Sequence, residues 1–94
     1  MENSENDDYH ELPIDGVLDL HFFKPSDVKD LVPEYIRECK LNGIFQLRII
    51  HGKGTGQLRK LVHSILEKHP DVKAFYPGTG TGNWGATSVD LYQE

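Results

Sequence analysis

The sequence predicts an α/β domain: a two-layer β-α-β-α-β-β sandwich, with a mostly parallel four-stranded sheet and two helices on one face. Three observations lead to it. Four short apolar runs punctuate the chain. Two stretches of helical periodicity separate the first three runs, which is the kind of connection parallel strands need. The last two runs are joined by a glycine-rich loop with no helix in it.

The first strand is expected at Val17–Leu20, with Leu18 and Leu20 on one face and Asp19 and His21 on the other. The first helix follows. Val28, Leu31, Val32, Tyr35, Ile36 and Cys39 form its apolar stripe, Ser26 or Asp27 its N-cap, and Asn42-Gly43 its end. Pro33 falls inside that stripe and predicts a kink or a two-piece helix. Gln46–Ile50 reads as the second strand. The second helix opens after Gly56, carries Leu58, Leu61, Val62, Ile65 and Leu66 on one stripe, and stops near His69, because Pro70 disfavours helical geometry before it. Val72–Tyr76 and Ala86–Leu91 complete the sheet as an antiparallel hairpin, the latter alternating Thr87, Val89 and Leu91 against Ser88 and Asp90. Right-handed crossovers place both helices on one face and leave the other bare.

With 94 residues the chain forms one domain. Glu2, Glu5, Asp7, Asp8 and Glu11 account for the whole net charge of −5, so the body is neutral and the acidity belongs to the N-terminal segment. Residues 1–12 are therefore expected to be an acidic disordered tail, and residues 13–94 the folded domain. No apolar run has the length of a membrane span, and the N-terminus lacks a secretory pattern, so no membrane partner is expected. The single Cys39 forms no internal disulfide, which fits a reducing, cytoplasmic location, and its place on the helix stripe marks it as a buried hydrophobe rather than a nucleophile.

Parallel strands share a polarity, so the loops after the first three strands emerge at one edge of the sheet, the usual place for a ligand in open α/β folds. That edge collects His21, the His51-Gly52-Lys53-Gly54-Thr55-Gly56 loop, and the long loop carrying Trp84. Glycines let the backbone approach a phosphate closely, and a helix N-terminus attracts anions. Arg59 and Lys60 in the first helical turn oppose the helix dipole, which on structural grounds alone favours acidic residues; their presence points to phosphate contact. Gly52, Lys53, Gly54, Thr55, Gly56, Arg59 and Lys60 are thus the candidate phosphate cradle, with Trp84 as a stacking platform for a base or a cover over the loop glycines. The loop is not a Walker A motif, and the G-x-G-x-x-G spacing at Gly80–Gly85 precedes a strand rather than a helix, so it is set aside.

Asp19 and His21 share a strand face, where a carboxylate orients an imidazole; with His51 arriving at the same edge, one histidine would accept a proton from a nucleophile and the other protonate the leaving oxygen. Asp19, His21 and His51 are accordingly the candidate catalytic residues. A metal site built from them lacks a tight ligand spacing, and the sequence requires no divalent metal. His10, His63 and His69 read as structural or solvated, His63 lying on the polar face of the second helix.

Together these segments resemble the Smr domain, the small MutS-related family. The likeness rests on Leu18-Asp19-Leu20-His21, on Arg48-Ile49-Ile50-His51-Gly52-Lys53-Gly54-Thr55-Gly56, on Leu58-Arg59, and on Gly82-Asn83-Trp84-Gly85-Ala86-Thr87, in this order. The resemblance implies a nucleic-acid-binding domain, an endonuclease on DNA or RNA, with the Asp19-x-His21 element involved in cleavage. The family usually has Gly after the first histidine; here Phe22 stands in its place, a bulky side chain expected to narrow the site or to add a stacking surface. Two readings follow: a phosphodiester endonuclease, or a non-catalytic module that binds nucleic acid or a ribosome- or repair-associated protein. RNA would supply its own 2′-hydroxyl nucleophile, whereas DNA would need an activated water, the case in which a metal enters.

Overall fold

The computed structural model describes residues 13–21, 23–52, 56–77 and 85–93. The tail expected over residues 1–12 lies outside the described residues, as does Phe22. Six elements follow one another: β1 (Val17–Asp19), α1 (Pro25–Leu41), β2 (Gln46–Ile50), α2 (Gln57–Lys68), β3 (Val72–Pro77) and β4 (Ala86–Leu91).

The sheet has the order β1-β2-β4-β3. β1 pairs with β2 in parallel, while β4 runs antiparallel to both β2 and β3. The first three strands therefore share one direction, as expected, but the sheet is mixed: β4 inserts between β2 and β3 instead of extending the edge. The β3–β4 hairpin carries a register shift between Val72 and Ala74.

Strand alternation sorts the residues cleanly. Leu18 lies beside Ile49, Leu47 opposite Val89, and Ile49 opposite Thr87, and these face the helices. Leu18, Leu20, Leu47, Ile49, Val89 and Leu91 join Val28, Leu31, Val32, Tyr35, Ile36 and Cys39 of α1, with Val62 and Leu66 of α2, in one core. The opposite face bears Val17, Asp19, Arg48, Ser88 and Asp90, none of them fully buried. Across this face the Tyr76 hydroxyl donates to Asp90 Oδ2 at 3.1 Å.

Two details of α1 depart from the expectation. The helix begins at Pro25 after Lys24, with no side-chain cap, so neither Ser26 nor Asp27 is the N-cap. Proline at the first helical position needs no N–H partner and has its φ preset, and Asp27 then falls in the first turn where the dipole favours it. The helix also runs through Pro33 in one piece. The carbonyl that Pro33 leaves without an N–H belongs to Lys29, an exposed residue, while the stripe on either side stays buried. The C-terminus falls where the sequence puts it: Asn42 caps α1, and its side-chain amide donates to the Glu38 carbonyl at 2.8 Å. α2 ends before the extended His69 that Pro70 demands.

The segment before β1 is held from α1. The Tyr35 hydroxyl accepts from the Gly16 N–H at 3.2 Å and has the carbonyls of Pro13 and Val17 at 3.0 and 3.1 Å. Burial is the main reason its acidity falls, with the pKa pushed up to about 12. Cys39 is fully enclosed, and burial raises its thiol to about 11, the state of a packing residue and not a nucleophile. Among the described residues, no helix is long and apolar enough to cross a membrane.

Candidate functional site at the carboxyl edge of the sheet

The carboxyl ends of β1 and β2 lie side by side. The ladder continues one residue past β1, where the Leu20 N–H donates to the Ile50 carbonyl at 2.8 Å. His21 follows at once on an exposed turn. Its backbone N–H donates to Asp19 Oδ1 at 2.9 Å, and its ring Nδ1 stands 3.4 Å from the same oxygen. Both side chains are more than half exposed, His21 at 65 % and Asp19 at 55 %. The carboxylate thus holds the turn and lies beside the ring of His21.

His51 enters the same edge on the other face of the sheet. It continues the Leu47–Ile49 row, so its ring passes beneath the helices and is only 6 % exposed. Its Nδ1 lies 3.0 Å from the Gly52 carbonyl and its Nε2 2.9 Å from Thr87 Oγ1. His63 reaches down from α2 to the same hydroxyl, with Nε2 2.8 Å from Thr87 Oγ1 and its ring packed on Phe75 at 5.0 Å between centroids. Burial lowers the pKa of His51, and the Arg59 charge lowers it further against the opposing Gly52 hydrogen bond. His63 is lowered chiefly by burial, then by Arg59 and His51, with Glu67 opposing.

The two histidines expected to share proton transfer therefore reach one edge but point to opposite faces. The reason is strand parity: His51 continues the buried alternate set of β2, and His21 the exposed one of β1. His63 lies closer to the core than the polar face of its helix suggested. Of the two readings, structural or solvated, it takes the structural one: it is half-buried and hydrogen-bonded, because it flanks the Val62–Leu66 side of the α2 stripe. Sequence reasoning missed the Thr87 and His63 pairing. One signal was present: a threonine alternating with Val89 and Leu91 on a core face needs a polar partner.

The loop leaving β2 is anchored at its root. The N–H groups of His51 and Gly52 both donate to the Gly85 carbonyl, at 2.8 and 2.9 Å. Gly52 has φ +79°, a conformation glycine adopts without strain. A side chain at Gly85 would lie in contact with the Gly52 backbone, its Cβ 3.4 Å from Gly52 Cα. Gly56, the N-cap of α2, is left-handed, and α2 has neither a side-chain cap nor an acidic residue in its first turn. Arg59 and Lys60 are exposed there. Lys53, Gly54, Thr55 and Trp84 lie outside the described residues. Among the described residues, no group of three or more His, Cys, Asp or Glu side chains is placed to hold a metal ion.

A two-layer α/β sandwich with a polar pair at the carboxyl edge of its sheet, beside the N-terminus of α2, defines a class of small α/β domain. Within it, the Smr domain model matches residues 18–92, and the chain belongs to that family. It is 38 % identical over 89 residues to the endonuclease MutS2 of Caldicellulosiruptor saccharolyticus, a match covering 94 % of this chain and 11 % of that protein. The MutS2 endonuclease of Caldicellulosiruptor bescii is 40 % identical over 79 residues, covering 83 % of this chain and 10 % of the relative. The chain thus spans about a tenth of the length of these relatives. Among solved structures, the Smr domain of Thermus thermophilus MutS2 superposes with a TM-score of 0.76 at 30 % identity, covering 81 % of this chain and 96 % of that one. YdaL, a stand-alone small MutS-related protein from Escherichia coli, gives 0.75 at 27 % identity, covering 84 % and 66 %.

Proposed function

We propose that this Smr domain binds nucleic acid at the carboxyl edge of its sheet and cleaves the phosphodiester there. The observation that carries the reading is the exposed Asp19–His21 pair, held by the 2.9 Å bond from the His21 N–H to Asp19 Oδ1, on the edge where a glycine turn opens α2. Endonuclease relatives of 38 and 40 % identity support the same chemistry. In this reading Asp19 orients the imidazole, and His21 exchanges a proton with the reacting hydroxyl or the leaving oxygen through Nε2. The Gly52–Gly56 segment, the α2 N-terminus, Lys53, Arg59 and Lys60 receive the phosphate, and Trp84 stacks on a base. His51 acts from beneath, on the backbone of the loop. We place the chain in the cytoplasm, with residues 1–12 as an acidic tail separate from the domain.

A nuclease assay on structured RNA, single-stranded DNA and supercoiled DNA, with and without chelator, tests the proposal. Wild type is expected to cut at least one substrate, and His21→Ala to lose about 10²–10⁴-fold in rate, the usual worth of a positioned acid or base, while still binding. Equal background cleavage by both proteins would remove the enzymatic reading and leave a binding module, whether for nucleic acid or for a ribosome- or repair-associated protein. Binding itself is expected to weaken steeply with salt, the mark of phosphate contact.

A further inference from the structure

Among the described residues, His51 and Thr87 are the two buried side chains outside the hydrophobic set, and they meet each other. With His63 they form a chain of three hydrogen-bonded groups beneath α2. Proton accounting gives this chain a single direction. The Gly52 carbonyl has lone pairs and no proton, so His51 Nδ1–H donates to it; in the neutral ring Nε2 then accepts. Thr87 has one hydroxyl proton, and it goes to His51 Nε2. The nitrogen of His63 that faces Thr87 Oγ1 must therefore donate, so His63 carries its proton on Nε2 and a lone pair on Nδ1.

The chain ends on Gly52, whose N–H is bound to the Gly85 carbonyl at 2.9 Å and whose carbonyl faces His51 Nδ1 at 3.0 Å. Both polar groups of the residue at the root of the glycine-rich loop are thus held, one by backbone and one by an imidazole of defined tautomer. Buried polar groups are costly unless paired, and here both ring nitrogens of His51 and the Thr87 hydroxyl are paired. We propose that His63 is a positioning residue of the carboxyl-edge site: through Thr87 it holds His51 in the Nδ1–H form and so fixes the Gly52 carbonyl from which the loop departs. Its consequence for ligand binding rests on the function proposed above; the proton arrangement does not.

Long-range proton–nitrogen spectra of the labelled chain read the tautomers directly. The expected result at neutral pH is His51 protonated on Nδ1 and His63 on Nε2. A proton on His51 Nε2, or exchange between both His51 nitrogens, would overturn the proposal. His63→Leu removes the donor, and His63→Gln supplies an amide N–H in its place. His63→Leu is expected to lose the single His51 tautomer and to bind a short single-stranded RNA or DNA oligonucleotide severalfold more weakly, and His63→Gln to restore both. An unchanged tautomer in His63→Leu, an unchanged affinity despite a lost tautomer, or no recovery in His63→Gln would each defeat the positioning role. If wild type binds neither oligonucleotide, the proposed function fails, and the tautomer spectra still decide the proton chain.

Discussion

Asp19, His21, His51, His63 and Thr87 divide the carboxyl edge into an exposed pair and a buried chain, and the two halves answer to pH differently. The folded state holds His51 and His63 below the ordinary histidine value of 6.5, mainly by burial. It therefore binds fewer protons than the unfolded chain in mild acid. Stability is expected to be complete above about pH 6.5 and to fall as the pH drops from there through the depressed folded-state values. Thr87→Val removes the donor that favours neutral His51, raising its pKa and making the acid loss shallower. Denaturant titrations from neutral to pH 5 check this; an acid limb unchanged in Thr87→Val would count against the proton arrangement. At this scale the sequence showed which residues reach the edge but not how they pair. Parity along a strand is legible, and it already separated Asp19 and His21 from the leucines. The partner of Thr87 was hidden because His63 comes from a different element, 24 residues away in sequence.

Among the elements, α1 is the one whose sequence conflicts with its structure. An interior proline costs a helix about 3 kcal/mol relative to alanine, yet α1 continues through Pro33 because its stripe buries six side chains against the sheet and α2. Pro33→Ala is expected to stabilise the domain by about 1–2 kcal/mol, part of the helical gain being offset by a freer unfolded chain. Chemical denaturation checks this, and a loss of stability would show that Pro33 packs better than alanine there. Tyr35 ties the same helix to the strand entry. Tyr35→Phe leaves the Gly16 N–H without its acceptor and is expected to cost about 1–2 kcal/mol, read as a lower denaturant midpoint at unchanged slope. The helix and strand spans were legible because their apolar periods are strong and their ends carry Pro and Gly. The cap was less so, since Ser26 and Asp27 both suit an N-cap and only the placement of Pro25 decides against them.

For the whole molecule, the arrangement that matters is three strands of one direction with β4 returning between β2 and β3. The sequence called for the β3–β4 hairpin but not for its insertion, which depends on which sheet edge the hairpin docks against and leaves no local mark. The insertion brings Thr87 beside Ile49 and Gly85 against His51, so the buried chain exists only because the sheet is mixed. It also leaves the molecule with two ends of different character. The carboxyl edge holds Asp19, His21, Arg59 and Lys60. The far end holds an open pocket of about 300 Å³ lined by residues that include Phe45, Lys73, Asp90 and Tyr92. A titration of a single-stranded oligonucleotide into the nitrogen-15-labelled chain, followed residue by residue, separates these ends and shows which of them takes nucleic acid. Amide shifts are expected to concentrate at His21, Gly52, Gly56, Arg59 and Lys60 and to fade as salt rises. Shifts confined to Phe45, Lys73, Asp90 and Tyr92, or none at low salt, would contradict binding at the carboxyl edge.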